Sequence, residues 1–118
     1  MPNMSFMLTE QQIIDRAKRV TRRLGWLKVK VGDVITACHK CMGLKPGEKV
    51  RKLARLRVVS VRREPLSSMI AEPYGSAEAK LEGFPEMSGR QFVEMFASHM
   101  RCDVRALVTR IEFEYVDE

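Results

Sequence analysis

Apolar residues recur along this chain in two different rhythms. From Thr9 to Gly25 they fall at helical spacing, with Ile13, Ile14, Ala17, Val20 and Leu24 forming one stripe. Thr9 predicts an N-cap, Gln12 sits at the capping-box position, and Gly25 supplies a left-handed stop. Arg16, Arg19 and Arg23 fall on the far side of this predicted helix. Lys18 and Thr21 lie at its edge, three apart and therefore neighbours. Residues 28–33 read as an extended approach ending in a turn. Strands are predicted over 34–40 and 53–63, the second stopped by Pro65. Residues 43–47 form a loop, 66–71 a short helix or turn, and 72–85 mostly loop. Ser88 opens a second helix, with Gln91 completing a capping box and Phe92, Val93, Phe96, Ala97 and Met100 on its buried face. From Ala106 to Val116 the rhythm becomes strict alternation. Leu107, Thr109, Ile111, Phe113 and Tyr115 point one way, and Arg110, Glu112 and Glu114 the other. The class is α+β: a small, mostly antiparallel sheet or barrel with flanking helices, its core holding Leu107, Ile111 and Phe113 with Phe92 and Phe96 near by.

At 118 residues the chain predicts a single domain, 1–118. Hydrophobic residues at 45% give it enough to bury. No apolar run reaches the roughly 18 residues that a membrane helix needs, so no membrane partner is expected. No export signal precedes the three cysteines, which suggests a reducing compartment; the expectation is a soluble cytoplasmic domain.

Charge adds an asymmetry. Residues 1–63 carry 16 Lys and Arg against 4 Asp and Glu, and residues 64–118 carry 5 against 11. A concentrated basic half commonly faces a phosphate backbone. Candidate metal ligands are Cys38 and Cys41, in C-x-x-C spacing, and His99 and Cys102, in H-x-x-C spacing. Together they offer one nitrogen and three thiolates, a zinc-compatible set. Cysteines that pack as small hydrophobes are commoner, so free thiols, no metal and no cofactor are expected. Phosphate-binding glycine loops and a serine-hydrolase motif are absent. On the first segment, a half-buried Lys18 among arginines is pushed toward its neutral form, and beside a hydroxyl it is a base–nucleophile candidate with Thr21. The plain alternative is a solvated lysine and a helix-end threonine.

One ordered set of segments carries a family resemblance. Lys18-Arg-Val-Thr-Arg-Arg-Leu-Gly25-Trp26, then Lys30-Val-Gly32-Asp33-Val-Ile, resembles the opening of ASCH (activating signal cointegrator homology) domains, with their G-x-K-x-x-T-x-R stretch and Gly-Asp turn. Arg57-Val-Val-Ser-Val-Arg-Arg-Glu-Pro-Leu66, the segment 82–96 and the segment 108–115 resemble the family's later elements, so the likeness spans nearly the whole chain. Arg16 stands where the family has glycine, and Arg19 where one branch has threonine. The resemblance implies a small PUA-like β-barrel with a cleft that takes RNA or a modified nucleoside. The visible charge favours a binding module, with Arg22, Arg23 and Lys28 on phosphates and Trp26 stacking a base. The alternative, implied by similarity to small N4-acetylcytidine amidohydrolases, is catalysis with Lys18 as base, Thr21 as nucleophile and Glu82 as proton donor.

Overall fold

Lys52–Pro65, the longest extended run, forms the central strand of the sheet in the computed structural model, which describes residues 2–117. In chain order the elements are β1 (Asn3–Ser5), α1 (Glu10–Ile14), β2 (Val20–Arg23), β3 (Val34–Cys38), β4 (Lys52–Pro65), a 3-10 turn (Leu66–Ile70), α2 (Tyr74–Leu81), α3 (Gly89–Met100) and β5 (Leu107–Tyr115). The sheet order is β1-β3-β4-β5-β2. Only β1 with β3 is parallel; the other pairs are antiparallel. The α+β class holds. The expected closed barrel does not: the sheet is open and mixed, with β1 and β2, of three and four residues, at its edges. No helix among the described residues is long and apolar enough to cross a membrane.

The long first helix is corrected to one turn and a strand. Arg16 adopts a left-handed conformation, φ 59°. Its N–H bonds to the Ile13 carbonyl at 3.1 Å, and that of Ala17 to the Gln12 carbonyl at 2.9 Å. This is a Schellman closure, the place where a chain most often carries glycine. Beyond it, Val20, Thr21 and Arg22 are all buried, as they must be in a strand covered on both faces, so their helical spacing is coincidental. Thr9 makes no side-chain cap. Gly25 and Trp26, at φ 82° and 52°, form the turn that leaves β2 rather than a helix end.

Residues 72–85 also depart from the expectation, since they contain helix α2. Glu72 braces its start: one carboxylate oxygen accepts from the Ser76 N–H at 2.6 Å and the other from the Gly89 N–H at 3.0 Å, so a single side chain takes up a free N–H in the first turn of both α2 and α3. These hydrogen bonds, led by that from Gly89, hold the Glu72 carboxyl below its ordinary range. The Ser88–Gln91 capping box forms as expected.

The core divides in two. Phe6, Ile13, Ile35, Leu56, Ile111 and Phe113 fill one side of the sheet, and Leu66, Met69, Phe92, Val93, Phe96 and Val108 pack under α2 and α3 on the other. Phe92 and Phe96 therefore do not pack beside Phe113. Leu107 is 54% exposed and outside both clusters, because it begins β5 past the last turn of α3. Arg110, expected outward, is buried beneath α2.

Candidate functional site

Five of the predicted site residues, Lys18, Thr21, Arg22, Arg23 and Glu82, border a cavity of about 230 Å³ between the Phe6–Thr9 segment, β2 and α3. The Arg19 N–H donates to the Leu81 carbonyl at 2.8 Å, which joins the entry to β2 to the end of α2 and brings Glu82 against Lys18 across 64 residues. Gln12 of α1 secures the same junction, its side-chain amide donating to the Gly83 carbonyl at 3.3 Å. Gly83 has φ 100°, and a Cβ there would stand 2.8 Å from the Gln12 side chain, so glycine fits both the backbone and the space.

Lys18 is 3% exposed. Its Nζ donates to the Glu82 carbonyl oxygen at 2.7 Å and to Glu82 Oε1 at 2.8 Å. Burial holds the ammonium below the ordinary lysine value; Glu82 opposes that shift, and Arg23 and Arg22 reinforce it. Thr21 Oγ1 accepts from Arg23 Nε at 3.0 Å. Period-two alternation puts Thr21 and Arg23 on the same side of β2, facing the cavity. The Arg23 guanidinium lies 4.6 Å from the centre of the Phe6 ring, and burial lowers it to about 10 against the pull of Glu82. Among the described residues its one hydrogen bond is to Thr21.

Arg22 points the other way, and its expected role on a phosphate is corrected. Its side chain is 0% exposed and enclosed by three carboxylates: Glu78 at 2.6 Å, Glu82 at 3.0 Å and Glu64 at 3.4 Å. Burial works against its charge, yet Glu82 and Glu78 outweigh burial and raise its pKa above the ordinary value. Trp26 packs against the first core and Lys28 is exposed; neither lines the cavity. The zinc-compatible set is not assembled, since no three such ligands gather among the described residues. Cys38 is buried, which with its neighbour Cys41 pushes the thiol up to about 11, and His99 lies at the cavity instead.

Sequence reasoning missed two parts of this site. The apolar wall comes from Phe84, Phe92, Met95 and Phe96, with Met7, Leu8 and Met100 at an exposed rim. The carboxylate layer behind Arg22 comes from Glu64 and Glu78. Glu78 and Glu82 are four apart, a spacing that signals one helix face once α2 is read as a helix.

No family model and no curated protein matches this sequence. Solved structures do. A hypothetical protein, PH0355, superposes with a TM-score of 0.65 at 17% identity over 97% of both chains. An ASCH domain from Lactobacillus crispatus JV V101 gives 0.61 at 14% identity, over 97% of this chain and 78% of that one. Protein EF3133 from Enterococcus faecalis V583, described as DUF984, gives 0.57 at 16% identity, over 92% and 69%.

Proposed function

On the premise that this chain has the ASCH-domain fold, we propose that it is an amidohydrolase acting on a small acylated amide of the N4-acetylcytidine type. The carrying observation is the buried Lys18–Glu82 pair, which shares a cavity with Thr21 and Arg23 opposite a wall of aromatic and methionine side chains. A cation this buried loses its proton more readily than a solvated lysine. The neutral amine keeps two N–H donors for the two Glu82 oxygens it already holds, and its lone pair is left for the Thr21 hydroxyl. Thr21 Oγ bonds to the acyl carbon as its proton moves to Lys18, and Arg23, which already donates to that oxygen, favours the developing negative charge. The carbon–nitrogen bond then breaks, and Lys18 returns the proton to the leaving nitrogen. Water then bonds to the acyl carbon as its proton moves to Lys18, the bond from that carbon to Thr21 Oγ breaks, and Lys18 passes the proton to Oγ, freeing the carboxylic acid and restoring the hydroxyl. Glu82 accepts hydrogen bonds from Lys18 and Arg22, so here it orients the base rather than supplying the proton.

The apolar rim and the inward Arg22 support a small uncharged ligand over an RNA strand. The test is turnover of N4-acetylcytidine, followed by the loss of its acetyl absorbance. Wild type is expected to release cytidine and acetate, and Lys18→Ala and Thr21→Ala to lose at least about a thousandfold in rate with melting curves retained. No turnover by wild type, or an unchanged rate in Thr21→Ala, overturns the reading.

A further inference from the structure

Glu82 Oε1 serves Lys18, but Oε2 is held from behind by Arg22 Nη1 at 3.0 Å. Arg22 is itself gripped by Glu78, whose Oε1 lies 2.6 Å from Nη2. Glu78 is gripped in turn by Arg110, through Nε at 2.6 Å and Nη2 at 3.1 Å. Glu78 and Arg110 are each 5% exposed and lie outside the cavity. The result is a buried row of alternating charge, Lys18, Glu82, Arg22, Glu78, Arg110, running from the cavity floor through β2 and α2 to β5.

We infer that Glu78 and Arg110 are positioning residues that act through Arg22 to set how tightly Glu82 holds the Lys18 ammonium, and so when Lys18 is free to act as a base. The inference rests on the catalytic reading of Lys18, and its sign follows from the order of charges. Without the Glu78 charge, Arg22 leans more on Glu82, the grip on the ammonium weakens, and Lys18 loses its proton at lower pH. Without the Arg110 charge, Glu78 draws Arg22 away, Glu82 is left to Lys18, and the proton is held to higher pH. Other groups face this row. Glu64 and Tyr74 reach Arg22, at 3.4 and 3.3 Å; Arg62 of β4 stands 4.0 Å from Glu78; Ser60 and Glu112 reach Arg110, at 3.5 and 3.6 Å; and Arg23 of β2 adds its charge beside Lys18. They are the same in every variant below, so the direction of each shift belongs to the residue changed.

The experiment compares Glu78→Gln, Arg110→Gln and the double variant with wild type. Two midpoints are read: the acid limb of kcat/KM for N4-acetylcytidine, and the titration of the Lys18 Nζ followed by NMR after isotope labelling. Glu78→Gln is expected to lower the Lys18 midpoint by about half a pH unit or more, Arg110→Gln to raise it by as much, and the double variant to fall between them. Any two variants that fold suffice, because the order is fixed. Arg110→Lys, which keeps the charge, is expected to restore most of the wild-type midpoint. A common direction for the two single variants, or an unmoved midpoint, overturns the inference; a merely structural role lowers stability without opposite shifts. Ordered NMR midpoints with no turnover in any protein would sink the catalytic reading and leave the positioning row standing.

Discussion

Lys18 holds its proton less firmly in the folded protein than in the unfolded chain. Burial lowers it from the ordinary 10.5, so the unfolded chain keeps that proton to higher pH than the folded one. The stability withheld by burying the charge is therefore recovered as the pH rises from the folded value toward 10.5. Relative to Lys18→Met, wild type is expected to gain urea stability steadily across that alkaline window; a difference that stays flat or declines would mean both states hold the proton alike. Lys18 and Thr21 stood out in the sequence as neighbours on a predicted helix that in fact gives way to strand β2, and Glu82 only as a member of an ordered motif. Nothing in periodicity brings Glu82 to Lys18, because the contact depends on a backbone hydrogen bond between Arg19 and Leu81. Arg22 was misread because a buried arginine and a phosphate-binding arginine have the same letter, and what separates them is a carboxylate layer on another element.

Helices α2 and α3 meet where two residues have no side chain. A Cβ on Gly89 would stand 2.6 Å from the Gly75 Cα and overlap the Met69 carbonyl, and one on Gly75 would do the same in reverse. The overlapped atoms are backbone, which cannot swing aside. Gly89→Ala is accordingly expected to lower the unfolding free energy by about 3 kcal/mol in urea titrations, where an exposed Gly→Ala change in a helix would raise it. A stability within about 0.5 kcal/mol of wild type would show that the helices do not touch there. Elements with a local signal were legible: the Ser88 capping box, the strand stopped by Pro65, and the alternation of β5. Helix α2 was hidden because Tyr74-Gly75 and Gly83-Phe-Pro85 punctuate it and its N-cap position is Pro73, which has no capping side chain, so that the Ser76 N–H is taken by Glu72 one residue earlier. The α1–β2 segment was hidden because a strand buried on both faces shows no period of two, and Ile13 to Leu24 imitates a helix by chance.

Across the whole molecule the split of charge between halves has an internal use. Cations of the first half meet anions of the second at Lys18–Glu82, Arg22–Glu78, Arg57–Glu114 and Arg16–Asp117. The asymmetry that pointed toward a phosphate partner is in part the two halves of the chain neutralising each other. A protein that neutralises several phosphates loses roughly 10³–10⁵ in affinity between about 50 and 200 mM salt. Here kcat/KM for an uncharged nucleoside amide is expected to change less than about twofold over that range. A steep fall would return the basic surface to the site and favour the strand-binding reading.

Strand β1 and its continuation carry a consequence of their own. The Phe6 N–H donates to the Cys38 carbonyl at 2.8 Å and the Thr9 N–H to the Phe6 carbonyl at 3.2 Å, and Phe6 and Thr9 both wall the cavity. Three paired residues at a sheet edge are the kind of segment that opens most often to solvent. A ligand seated against Phe6 would clamp that opening, so deuterium uptake at the Phe6 and Thr9 amides slows in proportion to occupancy. The shortest strand thus serves as a gauge of what the cavity holds, readable with a molecule that is bound and never converted.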